Sequence, residues 1–469
     1  MILILGAGPT GLSTALELVR NQRECVLVEK EDRVGGLSRT MEFGEFKSDI
    51  GPHRFYSKNR HLYDLISSLL GARWRLVDRI TRFYVQGRYY HYPIRFAEAL
   101  KGVSFYTAAQ MITDYLREKI KKRKIENLKD FLLANFGRTL SQFNMLNYTE
   151  KIWGLRCDQI SPDWAKQRIG GLSFREAILR VFKKKGGPKT LVDQFYYPQR
   201  GSGEIYEAMK KKILSGSSSI LLRSYPTKIT HDEHKLVEIS IACEDEDMAF
   251  RPQFVVSTIP ITKLIKLLDP PVPADVSKAC EKLQFRSHVS LFMSLNQDTV
   301  FRDQWIYFPD QEIPFGRIME PKNFSRSLSP NKKTSLLIEY FSWEGDKIWS
   351  MNPDDLFLLT KTWLKRLGII KKDNVIFYRL HREKYAYPVY TLDYKKPLSI
   401  VKDYLARFEN LYLAGRAGCF RYNNQDHALE MGILAARSII DKKRYNIDRV
   451  GMAPEYLEQG SITFTSEFQ

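Results

Sequence analysis

The sequence predicts an α/β fold in which one domain of parallel strands and helices is interrupted by a mainly helical block and by a block of antiparallel sheet. Three observations predict this. The chain has 469 residues, and single hydrophobic cores stop growing beyond roughly 250–300 residues. Apolar runs at Ile2–Leu5 and Cys25–Val28 enclose a helical pattern, as in a β-α-β unit. A strand at Leu411–Leu413 and a helix at Asp426–Ile440 come far later, so the first domain is predicted to be discontinuous.

The first predicted strand ends in a glycine motif, Gly6-Ala7-Gly8-Pro9-Thr10-Gly11. In Rossmann units, the first glycine permits a tight turn, the second lets the backbone approach a pyrophosphate, and the third allows close helix packing. These positions are Gly6, Gly8 and Gly11 here. Glu29 closes the second strand, where a carboxylate can accept hydrogen bonds from ribose hydroxyls, and Lys30 follows it. The opening segment therefore predicts a dinucleotide site.

The middle of the chain changes character twice. From about residue 64 to residue 185 the pattern is helical and basic, with one aromatic strand-like stretch at Phe83–Tyr92. Alternating runs such as Val289–Leu295 and Ser335–Tyr340 predict antiparallel sheet. We therefore assign residues 1–80, 195–260 and 375–445 to the nucleotide-binding domain, 81–194 to a mainly helical substrate-side block, 261–374 to an antiparallel-sheet substrate domain, and 446–469 to a C-terminal tail.

Basic residues outnumber acidic residues by 73 to 54, which gives a net charge of +19. Such a surplus is compatible with nucleic acid, an anionic membrane surface or a phosphorylated substrate. No helix-turn-helix, zinc-finger or RNP-type motif is visible, so we expect no nucleic-acid partner. The densest basic cluster is Arg117–Lys124. We expect peripheral contact with an anionic membrane there.

The sequence predicts a cytoplasmic protein. Met1–Leu5 runs directly into the glycine motif and leaves no signal-peptide pattern, and no stretch of about 18 apolar residues exists. The five cysteines contain no C-x-x-C pair, which disfavours a disulfide framework and a zinc site. We therefore expect no metal. Composition leaves a homo-oligomer open.

A second glycine turn, Arg33-Val34-Gly35-Gly36-Leu37-Ser38-Arg39-Thr40, follows the second strand. It resembles the flavoprotein superfamily of amine oxidases, protoporphyrinogen oxidases and UDP-galactopyranose mutases. The resemblance implies FAD, with Gly35, Gly36, Leu37 and Ser38 at the diphosphate. It also implies that Thr258 lies on the adenine side and that Gly415 begins the turn before the last helix. The predicted fold is then a Rossmann-type FAD-binding domain, glutathione-reductase-like, interleaved with the two substrate-side blocks.

Further stretches are similar to the UDP-galactopyranose mutases in order and rough spacing. Asp49-Ile50-Gly51-Pro52-His53-Arg54-Phe55 resembles the mutase segment whose histidine lies beside the flavin ring, which implies that place for His53. Tyr148 and Trp153 resemble the aromatic pair that contacts uracil. Arg168 and Arg317 fall where two mutase arginines clamp the diphosphate of the sugar nucleotide. Their planar forks can bind phosphate bidentately, which lysine cannot do.

The C-terminal third completes the resemblance. It implies that Tyr387 and Tyr422 line the sugar pocket, with Tyr385 and Asn424 beside them, and that Arg416, Asn424 and Gln425 contact the flavin. Arg416 is the residue that best separates the mutases from the other branches of the superfamily. Amine oxidase and protoporphyrinogen oxidase relatives usually carry an acidic residue after the glycine that corresponds to Gly415, whereas mutases carry arginine. A cation near the flavin pyrimidine ring would stabilise a reduced, anionic flavin. Asn424 departs from the mutase pattern, which has an acidic residue there.

The resemblance implies a flavoenzyme of the mutase-like branch, an isomerase acting on a nucleotide-linked or polyprenyl-linked sugar such as those used for cell-surface polysaccharide. The implied chemistry is ring isomerisation or a related reaction through N5 of the reduced FAD, with an external reductant such as NAD(P)H. The alternative is an FAD-dependent oxidoreductase of the protoporphyrinogen oxidase or amine oxidase type, which the long sheet region and the missing mutase residues favour. A flavin-binding membrane-surface protein without turnover is a third hypothesis.

Overall fold

The computed structural model describes residues 1–92, 104–121, 123–165, 194–244, 246–371 and 373–451. Its strands are β1 Ile2–Leu5, β2 Cys25–Val28, β3 Thr40–Phe43, β4 Phe46–Asp49, β5 Trp74–Asp78, β6 Thr81–Val85, β7 Arg88–His91, β8 Gln194–Pro198, β9 Ser219–Leu221, β10 Tyr225–His231, β11 Leu236–Ala242, β12 Met248–Phe250, β13 Phe254–Ser257, β14 Leu268–Asp269, β15 Phe285–Leu295, β16 Trp305–Tyr307, β17 Arg317–Met319, β18 Thr334–Ser342, β19 Val375–Pro388 and β20 Leu411–Leu413. Its α-helices are α1 Pro9–Arg20, α2 Arg60–Leu70, α3 Phe105–Lys121, α4 Leu128–Phe136, α5 Arg138–Leu140, α6 Leu146–Trp153, α7 Gly203–Ile213, α8 Ile261–Lys266, α9 Ala274–Glu281, α10 Lys347–Ser350, α11 Pro353–Arg366, α12 Lys395–Leu405, α13 Gly415–Gly418 and α14 Gln425–Ile440.

The nucleotide-binding domain is built on a parallel five-stranded sheet in the order β20-β13-β1-β2-β9. Its strands are short and largely buried, as in sheets that helices cover on both faces. Helices α1 and α14 pack closely because Gly432 has no side chain. A Cβ there would lie 2.2 Å from the Thr10 carbonyl oxygen. The predicted α/β fold is confirmed.

The second large sheet has seven strands in the order β19-β15-β18-β17-β16-β6-β7. All of its neighbouring strands are antiparallel except β16 and β6, which are parallel. Strand β15, which lies between β19 and β18, is buried along nearly its whole length. The sheet therefore forms a two-sided core that holds the residues of β15, β17, β18 and β19 in a fixed register.

Strand pairing corrects two assignments made from the sequence. The Phe83–Tyr92 stretch is part of a two-stranded hairpin, and its first strand β6 pairs with β16 of the antiparallel sheet. Strand β19, assigned to the nucleotide-binding domain, instead pairs with β15 from Val375 to Pro388. The boundary predicted at 375 therefore moves to the end of β19. Local patterns could not reveal this, because the pairing joins segments about 90 residues apart in the chain.

The helical block contains α3 to α6. Its core includes Met111, Leu128, Phe131 and Trp153, and it reaches Tyr387 on β19. The block therefore packs against one end of the antiparallel sheet. The predicted site residue Arg168 and most of the predicted tail lie outside the described residues.

Two further findings concern the described part of the chain. No helix in it combines the length and the apolar character needed to cross a bilayer. No group of three or more His, Cys, Asp or Glu side chains there is arranged to hold a metal ion. The five cysteines are all free thiols.

Candidate functional site

Two glycine turns face each other at the carboxyl ends of β1 and β2. The N–H of Gly35 donates to the Ala7 carbonyl at 2.9 Å, which ties the second turn to the first. Gly35 and Gly36 have φ values of 106° and 51°, a left-handed region that favours glycine. A Cβ on Gly8 would meet only the Cα of Gly36, at 3.8 Å. The two backbones therefore form an open cradle into which side chains do not project.

The cradle lies at the N-terminus of α1, where backbone N–H groups lack helical partners and favour an anion. Gly11 allows this packing, since a Cβ there would lie 1.9 Å from the Gly6 carbonyl oxygen. Thr258 lies at another side of the cradle, where its Oγ1 donates to the Leu5 carbonyl at 2.8 Å. Gly415, with φ of 81°, lies against Thr10. The residues present therefore fit the diphosphate of a dinucleotide.

Glu29 lies at the end of β2, where the sequence predicted a ribose-binding carboxylate. Its Oε2 accepts from the Ala7 N–H at 2.8 Å and its Oε1 from the Glu31 N–H at 3.1 Å. Burial raises the pKa of this carboxyl group. A carboxylate has about four acceptor positions, so these bonds leave capacity for hydroxyls. Lys30 next to it pairs with Glu31 at 3.0 Å and is largely exposed.

Arg39 joins the second glycine turn to the antiparallel sheet, a contact that the sequence did not indicate. Its Nη1 donates to the Gly36 carbonyl at 2.8 Å, and its Nη2 donates to the Glu383 carboxylate. Burial opposes ionisation of Glu383, but the hydrogen bond from His381 and the Arg39 charge together hold its pKa at about 2. The only sequence signal for this contact was that Arg39 follows Gly35 and Gly36 in the same turn.

Arg317 on β17 meets Glu339 on β18 in a bidentate ion pair. The Nε and Nη2 atoms donate to the two carboxylate oxygens at 2.6 and 2.5 Å. His288 Nε2 lies 2.9 Å from the same carboxylate. Burial would raise the pKa of Glu339, but the Arg317 charge and the His288 hydrogen bond lower it to about 2. Glu339 was missed because the run Thr334–Ser342 shows only a strand pattern.

His53 lies next to this ion pair. The segment that carries it passes close by, since a Cβ on Gly51 would lie 3.1 Å from Glu339 Oε2. Burial, with the positive charge of Arg416 next in size, lowers the pKa of His53 to about 3. The ring is therefore neutral at physiological pH. Its Nδ1 is buried without a hydrogen-bond partner among the described residues, which leaves one ring nitrogen available to a ligand.

Arg416 contacts two tyrosines on different elements. Its guanidinium carbon lies 5.2 Å from the Tyr387 ring centroid and 5.3 Å from that of Tyr422, within cation–π range. The two rings are stacked, with centroids 5.9 Å apart and planes 13° apart. Nη1 and Nη2 donate to the carbonyls of Ala386 and Asn423 at 3.0 and 2.5 Å. The structure therefore brings together Arg416, which the resemblance placed at the flavin, and Tyr387 and Tyr422, which it placed in the sugar pocket.

Tyr148 and Trp153, the aromatic pair predicted to contact uracil, differ in how deeply they are buried. Tyr148 packs edge-on against Tyr307 at 5.1 Å and interacts electrostatically with Arg317, so it belongs to the site. Trp153 is only 1% exposed, and its ring meets Trp164, Tyr387 and Tyr422 edge-on. It supports the pocket tyrosines and presents no open face for stacking. Tyr385 packs against Phe285 at 5.4 Å.

The remaining predicted flavin contacts lie around the start of α14. Asn424 is the N-cap of this helix. The Gln425 side-chain oxygen accepts from Ser202 Oγ at 2.9 Å and from Tyr206 OH at 2.6 Å, so it joins α14 to α7. Ser38 is buried and Leu37 is half-buried in the second glycine turn.

Lys151 is a third residue, after Arg39 and Glu339, whose role the sequence did not predict. Its Nζ donates to the carbonyls of Phe308, Asp310 and Ile313 at 2.7, 2.5 and 2.8 Å. These carbonyls belong to the loop that leads into β17 and Arg317. Lys151 thereby fixes the loop to α6, which carries Tyr148 and Trp153.

The parallel sheet, the two facing glycine turns and the carboxylate at the end of β2 define a flavoprotein-type dinucleotide-binding protein. The chain belongs to the flavin-containing amine oxidoreductase family, whose sequence profile matches residues 9–440. Membership implies an FAD-dependent enzyme.

The chain is similar to several characterised proteins. It is 23% identical over 354 residues to the L-amino acid oxidase bordonein-L of Crotalus durissus terrificus, covering 67% of this chain and 64% of that protein. The chain thus spans less than two thirds of this relative's length. Its fold matches reduced UDP-galactopyranose mutase with a TM-score of 0.82 at 20% identity, over 97% of this chain and 96% of the other. It also matches cyclohexylamine oxidase from Brevibacterium oxydans with a TM-score of 0.63 at 14% identity, over 94% and 98%.

Proposed function

We propose that the protein is a mutase-like flavoenzyme that acts on a sugar linked to a diphosphate carrier, either a nucleotide or a polyprenyl lipid. The observation that carries the proposal is the cation and tyrosine cluster beside His53. Arg317 and Arg416 provide two half-buried guanidinium groups, of which Arg317 is paired with Glu339. Tyr148 lies near Arg317, and the rings of Tyr387 and Tyr422 contact Arg416. Such a site matches an anionic, hydroxyl-rich ligand better than it matches an apolar amine.

Arg317 is the proposed diphosphate-binding residue. Glu339 accepts from its Nε and Nη2, which leaves Nη1 to donate to a substrate oxygen. The side chain is 14% exposed, so a charged hydrogen bond to phosphate would form in a poorly hydrated environment, where it is stronger than in water. Glu339 fixes the plane of the guanidinium group, and Arg168 would supply the second phosphate contact.

FAD in its reduced form would supply a nucleophilic N5 to this site. The chain's own residues bind and orient the sugar and exclude water from it. Neutral His53 would offer Nδ1 to the cofactor without adding a charge. Arg416 would stabilise negative charge at the pyrimidine end, and the stacked Tyr387 and Tyr422 would line the sugar pocket.

The second candidate is an oxidoreductase that transfers hydride from a C–H bond to oxidised FAD. Family membership favours it, as does the similarity to an L-amino acid oxidase. It differs from the first candidate in its electron balance, because it consumes one acceptor for each product molecule.

A substrate panel with a matched variant tests the proposal. Dithionite-reduced holoenzyme is offered UDP-galactose, other nucleotide sugars and polyprenyl-phosphate sugars without oxygen, and products are separated by chromatography. Arg317→Lys keeps the charge but loses the planar fork, so we expect at least about tenfold lower turnover with FAD retained. Arg326→Lys, at an exposed position, is the control. Loss of FAD from Arg317→Lys, or unchanged turnover, would contradict the assigned role.

A further inference from the structure

We propose that the outer face of helix α3 docks on an anionic phospholipid bilayer. This outer face consists of the apolar residues Phe105, Ile112, Leu116 and Ile120 together with the basic residues Arg117, Lys119 and Lys121. In the sequence, the cluster at Arg117–Lys124 is distinguished only by its positive charge. The structure adds an exposed apolar stripe beside it.

The stripe follows from the spacing of its residues. Steps of seven, four and four residues along a helix with about 100° per residue return to the same side of the helix. Phe105, Ile112, Leu116 and Ile120 are 91, 42, 53 and 82% exposed. Tyr106 beside them is 71% exposed. Contiguous exposed apolar residues on a folded protein mark an interaction surface.

The opposite face of α3 packs against the protein, and the acidic side chains of the helix form their hydrogen bonds there. Met111 is fully buried in the core that contains Trp153. Asp114 accepts from Thr139 Oγ1 at 2.6 Å, and Glu118 accepts from Arg123 at 2.7 Å. The negative charges are therefore engaged on the inner side.

The basic residues of the outer face stand on both margins of the stripe. Helical geometry places Lys119 along one margin and Arg117 and Lys121 beyond the other. All three are exposed. Arg123 is held by Glu118 and Asp130 at 2.7 and 3.1 Å, whereas Arg117 is 81% exposed and makes a long contact with Asp114, at 3.9 Å. An apolar stripe with lysine and arginine at its margins is the pattern of a helix that lies in the membrane interface, where long basic side chains extend toward the headgroups.

Charge complementarity selects an anionic bilayer over a second copy of the chain. Two such faces in contact would bring like charges together along both margins, in a chain whose net charge is already +19. An anionic bilayer instead attracts each basic residue near its surface, and the apolar stripe enters the acyl boundary. The helix would then lie parallel to the bilayer plane.

Vesicle sedimentation of the full-length holoenzyme tests the proposal. We expect the protein to sediment with phosphatidylcholine vesicles that contain phosphatidylglycerol, to bind vesicles of phosphatidylcholine alone at least about tenfold more weakly, and to dissociate at high salt. Leu116→Ser/Ile120→Ser should weaken binding about tenfold or more, because two apolar side chains no longer enter the bilayer. Arg117→Gln/Lys119→Gln/Lys121→Gln should weaken it and reduce its salt dependence.

Matched controls come from other helices. Leu358→Ser changes a leucine that is 63% exposed on α11, and Lys211→Gln/Lys212→Gln changes exposed lysines at the end of α7. Both should bind vesicles as the wild type does. Circular dichroism checks that every variant is folded. Vesicle binding needs no sugar substrate, so this test is independent of the proposed reaction.

Three results would overturn the proposal. The first is absence of sedimentation with anionic vesicles at low salt. The second is unchanged binding by Leu116→Ser/Ile120→Ser. The third is a dimer detected by light scattering without vesicles that the same double variant dissociates, since the outer face would then join two copies of the chain.

Discussion

At the residue scale, the central feature is a buried charge network of Arg317, Glu339 and His288. The sequence predicted Arg317 from its motif, but it could not predict Glu339. A single acidic residue inside an apolar strand pattern does not reveal which charge it will meet. Only the register that places Glu339 opposite Arg317 across β17 and β18 makes the pair visible.

Removing the negative charge from this network should be costly. Glu339→Gln leaves a nearly buried guanidinium without its counter-ion, and breaking a buried pair typically lowers the free energy of unfolding by about 3–5 kcal/mol. Urea denaturation measures the change. Glu344→Gln is the control, because Glu344 pairs with Lys384 at the surface and such pairs contribute about 1 kcal/mol or less. Equal effects in the two variants would contradict the buried network.

The buried, neutral His53 predicts how the free energy of unfolding depends on pH. Its pKa is about 3 in the folded chain against an ordinary value of 6.5, so between these values the unfolded chain binds a proton that the folded chain does not. Stability therefore falls as the pH decreases below about 6.5, by roughly 2 kcal/mol at pH 5 for this group. His53→Gln should lose less stability than the wild type between pH 7.5 and pH 5 in urea denaturation.

The control for this measurement is the same substitution at exposed His234. A pH dependence of His53→Gln as steep as that of the wild type would show that His53 is not a neutral buried group in the folded chain.

At the scale of elements, the glycine turns were the most predictable part of the molecule. Positions such as Gly11 and Gly36 are set by local backbone geometry, which a short motif encodes completely. Strand β19 was assigned to the wrong domain, because its pairing partner β15 lies far away in the chain. The aromatic stretch at Phe83–Tyr92 likewise gave its strand character locally but not its sheet.

Two glycine substitutions should separate folding from cofactor binding. Gly8 has φ of −74°, which alanine adopts readily, and its missing Cβ faces the open cradle. Gly8→Ala should therefore fold with an unfolding free energy within about 1 kcal/mol of the wild type and bind FAD at least about tenfold more weakly. Gly11→Ala should not fold, since its Cβ would overlap the Gly6 carbonyl oxygen.

The ratio of flavin to protein absorbance reports retained cofactor, and circular dichroism reports folding. Gly216→Ala, at a position where a Cβ finds ordinary contacts, is the control. Full FAD retention by Gly8→Ala would mean that the diphosphate does not approach the first glycine turn.

At the scale of the whole molecule, the sequence predicted an interleaved α/β flavoprotein, and both the fold and the superfamily are confirmed. The prediction was possible because the motif segments, although scattered along the chain, each have a local signature. Trp153 marks the limit of this approach. The resemblance implied that Trp153 contacts uracil together with Tyr148, but whether a ring faces a ligand or a core depends on the packing of elements distant in sequence.

The central claim is that the site converts a diphosphate-linked sugar without net redox chemistry, and an electron count during turnover tests it most directly. Holoenzyme is reduced with dithionite, freed of excess reductant, and given the substrate from the panel without oxygen, while product and flavin absorbance are followed together. We predict many product molecules per flavin, with the flavin still reduced at the end and no acceptor consumed. Product that forms only with oxidised flavin, at one acceptor consumed per product molecule, would contradict the claim and establish an oxidase-type reaction.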